Sequence, residues 1–137
     1  MTPILILTHG EFGPILLKSA EAMYGPQRDA VAMGLSPDES REDFALRVKE
    51  AVKGLPSCPL VLVDLACGTP WNVALMEGCA QEGEVLAGLS LPLLLEALGL
   101  RETLSPRPLA AEVARQAPQT FVRASEMIGR AAPGGGA

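Results

Sequence analysis

Pro3-Ile4-Leu5-Ile6-Leu7-Thr8-His9-Gly10 opens the chain with a short, continuous apolar run that stops at a histidine and a glycine. A run without polar alternation suggests a strand covered on both faces, as in a parallel sheet. Leu60-Val61-Leu62-Val63 repeats the pattern and stops at Asp64. Ala30 to Met33 and Glu84 to Gly88 are weaker strands of the same kind. Helical segments fall between them. Pro14 suits the first turn of one helix, which Gly25-Pro26 stops. A second runs from about Asp38 to Gly54, where Ser40 with Asp43 makes a capping-box-like start and Ser36 competes for the role. Thr69-Pro70 reads as an N-cap and N1 proline opening a helix through about Gln81. Pro92 to Leu98 and Pro106 to Ala117 follow, with Pro118 interrupting the latter.

Strand and helix thus alternate four times, which predicts a doubly wound, flavodoxin-like α/β fold with helices on both faces of a mainly parallel sheet. Right-handed crossovers favour the order 2-1-3-4. The first and third strands then lie side by side, and their C-terminal ends form the crevice where open α/β sheets bind ligands. His9 and Asp64 leave their strands at that crevice. Thr120 to Ser125 fits either a last helical turn or an antiparallel edge strand. Residues 1–131 read as one domain and the Gly-rich residues 132–137 as a disordered tail.

The totals narrow the class. Apolar residues make up 48% and charged residues 20% of the 137-residue chain, so it is globular. A net charge of −5 and a pI near 4.8 oppose binding to nucleic acid, which needs a basic face. Cys58, Cys67 and Cys79 are odd in number and form no C-x-x-C pair, which reads as free thiols in a reducing compartment. A zinc site would want a different arrangement of the cysteines, and no metal is expected. The N-terminal run is too short for a signal peptide or a membrane span, so a cytoplasmic location is expected.

His9 is the chain's one histidine. A neutral imidazole has a single nucleophilic nitrogen, and a carboxylate holding the other N–H fixes the tautomer and supports developing positive charge. Asp64 is placed to be that carboxylate, or else a loop or helix-capping aspartate. Cys67-Gly68-Thr69-Pro70 offers amides at a helix N-terminus and a hydroxyl, a setting that favours a phosphate. Thr8 either donates another hydrogen bond or simply ends its strand.

Three segments carry a family resemblance. Thr8-His9-Gly10 with Leu16-Leu17-Lys18-Ser19-Ala20-Glu21 resembles the N-terminus of IIA components of the mannose/fructose/sorbose family of the bacterial phosphotransferase system. Val63 to Ala74 is similar to that family's Asp-x-x-Gly-Gly-Ser/Thr-Pro-Phe-Asn segment, and Ala87 to Glu96 to its Gly-x-Asn-Leu-Pro-Met-Leu-x-Glu run. The resemblance implies that His9 takes a phosphoryl group from the phosphocarrier HPr and passes it to a IIB permease component. Asp64 would be the carboxylate partner, with Thr69, the Gly68 amide and its neighbours on the phosphoryl oxygens. It implies no metal or organic cofactor, and contact with the membrane only through the permease. It also implies a homodimer in which a C-terminal strand, about Gln119 to Ala124, completes the partner's sheet. Cys67 stands where the pattern has the first glycine of its pair, so a positive φ there would be strained. Ala66 replaces a frequent aromatic, and Ser90 the Asn before Leu-Pro.

Other readings compete. A regulatory phosphohistidine protein would keep His9 without driving sugar uptake. A receiver domain using Asp64 would need an acidic pair after the first strand and a late lysine, yet Gly10-Glu11 offers one acid and no lysine follows Lys53. In a non-catalytic binding module His9 would be a surface residue.

Overall fold

The computed structural model describes residues 1–135. Along the chain it forms β1 (Ile4–His9), α1 (Phe12–Tyr24), β2 (Ala30–Leu35), α2 (Arg41–Lys53), β3 (Leu60–Val63) and α3 (Thr69–Met76). These are followed by α4 (Cys79–Glu82), β4 (Glu84–Ala87), α5 (Leu91–Leu100), α6 (Pro106–Thr120) and α7 (Ala124–Gly135). The strands make one sheet in the order β2-β1-β3-β4, parallel at every pairing. This is the doubly wound, flavodoxin-like arrangement expected from the alternation.

β1 and β3 are continuous apolar runs because both of their faces are covered. Ile4, Ile6, Leu60 and Leu62 face a core built from α1, α5 and α6, with Leu94, Ala97, Leu109 and Val113. Leu5, Leu7, Val61 and Val63 face the opposite core, with Phe44 and Val48 of α2 and Val73 and Ala74 of α3. The strand period of two therefore sorts each run between two layers. Every side chain from Ile4 to Leu7 is fully buried, each contributing roughly 1.5–3 kcal/mol.

Arg101, only 3% exposed, fastens the sheet's N-terminal end. Its guanidinium donates to the Asp29 and Arg28 carbonyls and to Gln27 Oε1, while its own carbonyl accepts the Thr2 N–H. The buried cation is held by neutral acceptors arranged around the fork of the guanidinium.

Ser40 caps α2 as its capping-box-like setting suggests, its hydroxyl accepting the Asp43 N–H at 3.0 Å. Other boundaries differ from expectation. The helix expected through Gln81 breaks after Met76, because Gly78 takes a left-handed conformation (φ 77) and starts a new turn, α4. Thr69 is the first helical residue of α3, and Gly68 occupies the cap position.

Pro118 does not end α6, which continues to Thr120. Proline there removes a single N–H donor from the helix, and the Thr120 hydroxyl donates to the Ala117 carbonyl at 2.7 Å. Of the two readings of the following segment, the single chain shows no edge strand: the ends of Gln119 to Ala124 belong to α6 and α7, and Phe121 to Arg123 lie in no strand. Helix α7 runs from Ala124 to Gly135, into the residues read from sequence as a tail. Residues 136–137 lie outside the described residues.

Candidate functional site

β1 ends on His9 and β3 is followed at once by Asp64, so parallel pairing of these strands brings the two side chains together. His9 Nδ1 stands 2.9 Å from Asp64 Oδ2, and the His9 backbone N–H donates to the same oxygen at 3.0 Å. The carboxylate thus fixes both the backbone and the ring of the histidine. With the ring proton placed on Nδ1 to meet the carboxylate, Nε2 carries the lone pair. The ring is half exposed, at 47%, whereas Asp64 is largely buried. Among the described residues, Asp64 Oδ1 is buried without a hydrogen-bond partner.

The loop after Asp64 shapes the space around Nε2. Cys67 adopts φ +67, the left-handed conformation that its replacement of a glycine made costly. Gly68 then passes beside the imidazole. A Cβ added there would lie 3.0 Å from His9 Cε1 and 3.4 Å from Nε2. Its φ of −87 is open to any residue, so glycine is needed for room and not for conformation. The eight-residue helix α3 begins immediately beyond, with Pro70 in its first turn. Helix geometry leaves the first-turn amides without intrahelical partners, and proline removes one of the donors. Thr69 is half-buried beside them.

The structure brings His9, Asp64, Gly68 and Thr69 together, but it removes Thr8 from the set. Thr8 is fully buried, and its hydroxyl accepts the Gly13 N–H at 2.7 Å. It caps the start of α1, where Glu11 in the cap position makes no side-chain bond. A hydroxyl so enclosed is not presented to a group on His9.

Ser90 also has a local task. Its hydroxyl accepts the Leu93 N–H at 3.4 Å at the start of α5, work that the family pattern's asparagine would do equally well.

Reasoning from sequence valued Gly68 for its amide and missed its steric role. It also missed Gly34, a glycine inside a strand, which is a recognised sign of close backbone approach. Of the thiols, Cys58 and Cys67 are exposed and Cys79 is buried. Burial pushes the Cys79 thiol up to about 11, and a hydrogen bond to Glu82 raises that of Cys58. A cavity of about 480 Å³ is lined by Thr2, Cys58, Arg101 and Leu104, away from His9. Exposed Phe12, Ile15 and Leu65 lie close to His9 and Asp64 in the chain.

Residues 3–114 match the family described as PTS system fructose IIA component. The fructose-specific EIIA component of Bacillus subtilis is 33% identical over 134 residues, covering 93% of this chain and 90% of that protein. The sorbose-specific EIIA component of Klebsiella pneumoniae is 32% identical, covering 89% and 91% respectively. Among solved structures, the phosphotransferase system component EIIA from Streptococcus agalactiae superposes with a TM-score of 0.82 at 31% identity, covering 92% of this chain and 99% of that one.

Proposed function

This chain belongs to the fructose IIA component family of the phosphotransferase system, and from that premise we propose that His9 is its phosphoryl acceptor. The Nε2 lone pair attacks the phosphorus of phosphorylated HPr. The N–P bond forms as the bond from phosphorus to HPr breaks, and the Nδ1 proton stays on the ring, held by Asp64. Reversal of the step, with a IIB component as acceptor, returns His9 to its starting state. As the ring gains positive charge, the Asp64 carboxylate stabilises it without changing position. The phosphoryl oxygens are received by the α3 N-terminal amides and the Thr69 hydroxyl, favoured by the helix dipole.

The observation that carries the reading is the 2.9 Å contact between Nδ1 and Asp64 Oδ2, which leaves Nε2 as the free nitrogen beside a glycine. The half-exposed ring suits an acceptor that must be reached by another protein. Incubation with enzyme I, HPr and phosphoenolpyruvate should add one phosphoryl group, acid-labile and base-stable, mapping to His9. Phosphate on Asp64 with the lability of an acyl phosphate would overturn the assignment.

We further propose that the protein works as a cytoplasmic homodimer. Phe121 is 92% exposed, and Val122, Met127 and Ile128 beside it are exposed as well, an apolar stretch that a second copy would cover. Three free thiols fit a reducing compartment, and no helix among the described residues is long and apolar enough to cross a membrane. Sedimentation at micromolar concentration tests the dimer, and a monomer there would dismiss it.

A further inference from the structure

We propose that Gly34 of β2 is a positioning residue for His9: the absence of a side chain there seats the turn that carries the histidine. The inference rests on reading His9 as the acceptor. Gly34 pairs with Thr8 and Leu35 with His9 at the end of the β1–β2 ladder. Gly10 then leaves the sheet with φ +55, and its N–H donates to the Leu35 carbonyl at 2.8 Å. That turn lays the Gly10 carbonyl against Gly34. A Cβ at residue 34 would overlap the Gly10 oxygen and stand only 2.7 Å from its carbonyl carbon, inside the 3.0 Å that real Cβ contacts keep. Since Gly34 is not among the residues with positive φ, glycine serves here to leave space.

What makes this a device for positioning is that β2 cannot simply retreat. The Gly34 carbonyl accepts from Arg47 Nη1 at 3.2 Å, and Arg47 is held to both oxygens of Glu39 at 2.9 and 3.0 Å. Glu39 in turn accepts the Ser36 N–H at 3.3 Å. The guanidinium carbon lies 5.7 Å from the ring centroid of Phe44, a fully buried residue of α2. The end of β2 is thereby clamped to α2. A methyl group at residue 34 must displace the other party, the Gly10 turn, and His9 moves with it. Asp64, on β3, stays where it is. The register between Nδ1 and Oδ2 is then lost.

The test is Gly34→Ala, with Gly99→Ala as a control, because a Cβ at Gly99 meets nothing within 4 Å. Misplacement of a reacting group by about 1 Å costs on the order of 100-fold in rate. Gly34→Ala should therefore lower kcat/KM for transfer from phosphorylated HPr by about that factor, while Gly99→Ala keeps the wild-type value. Imidazole nitrogen NMR of the unphosphorylated protein should show a single Nδ1–H tautomer in wild type and in Gly99→Ala, and tautomer averaging in Gly34→Ala. A folded Gly34→Ala protein with wild-type transfer, or with slow transfer but an unchanged imidazole spectrum, would overturn the proposal. Should that variant not fold, Gly34→Ala is placed in an Arg47→Met background, where β2 can give way in part; severalfold slower transfer with partial averaging is then expected, and wild-type values for both would overturn the proposal. Failure of wild-type phosphorylation would refute the acceptor reading instead, and the imidazole spectra would still decide the positioning claim.

Discussion

His9 and Asp64, 55 residues apart in sequence, are joined twice through a single oxygen: Oδ2 receives both the backbone N–H and Nδ1 of the histidine. Two donors on one atom fix the ring plane and the direction of Nε2 together, and the second oxygen is buried with no partner among the described residues. Asp64→Asn keeps the shape of this contact but removes its charge, and it lets the ring settle in the wrong tautomer. The variant should fold normally and transfer phosphoryl groups about 100-fold more slowly or worse. Rapid-quench measurement with phosphorylated HPr checks this, and wild-type kinetics would remove Asp64 from the chemistry.

Gly68→Ala should slow phosphorylation by a steric route. The new methyl carbon would lie 3.0 Å from Cε1 and 3.4 Å from Nε2, so it crowds the face that the phosphorus must approach. Its φ of −87 costs alanine nothing, and thermal stability should hardly change. A loss of rate with an unchanged melting temperature separates this effect from a folding defect.

Cys67→Gly should stabilise the protein modestly. A non-glycine residue at left-handed φ costs about 1–2 kcal/mol, and the added freedom of glycine in the unfolded chain returns about 0.5–1 kcal/mol of that. A gain of up to about 1 kcal/mol in urea unfolding is expected, whereas Cys67→Val should destabilise. Equal stability of the glycine and valine variants would show that the loop does not hold this conformation in solution.

Thr8→Val tests the capping role. Loss of the hydroxyl leaves the buried Gly13 N–H without an acceptor, at a cost of about 1–3 kcal/mol. Transfer from HPr should stay close to wild type in the folded variant. A large loss of rate at full stability would return Thr8 to the phosphoryl site.

Thiol labelling reports on the three cysteines separately. In the native protein at pH 8, exposed Cys67 and Cys58 should react, with Cys58 slowed because its hydrogen bond to Glu82 keeps the thiol protonated. Cys79, whose thiol is pushed up to about 11 by burial, should react only in denaturant. Native-state reaction of Cys79 would mean that α4 opens locally.

The parts of this structure that were legible in sequence are those set by local patterning. Four apolar runs with helices between them narrow the strand order, because parallel neighbours need crossovers and crossovers have one hand. His9 and Asp64 follow directly, being the polar residues at which the two most apolar runs stop. What sequence did not disclose depends on backbones packed against each other. Gly34 and Gly68 are needed for contacts made by residues far away in the chain. Thr8 appeared available because nothing in its flanks shows that the hydroxyl turns inward to Gly13. The segment at Phe121 was ambiguous because its β-favouring residues need an edge on which to pair.

The strand order also has a consequence for how the chain acquires its activity. β1 lies between β2 and β3, and Ile4 is in register with Leu60. A chain that has folded only as far as β2 has a complete His9 turn and no carboxylate beside it. Joining β3 to β1 closes a long loop, whose entropy must be met before any contact rewards it. On the proposed role of His9, full competence to take up phosphate requires β3 to be docked on β1, so in a refolding chain the return of phosphoryl uptake should time the closing of the sheet.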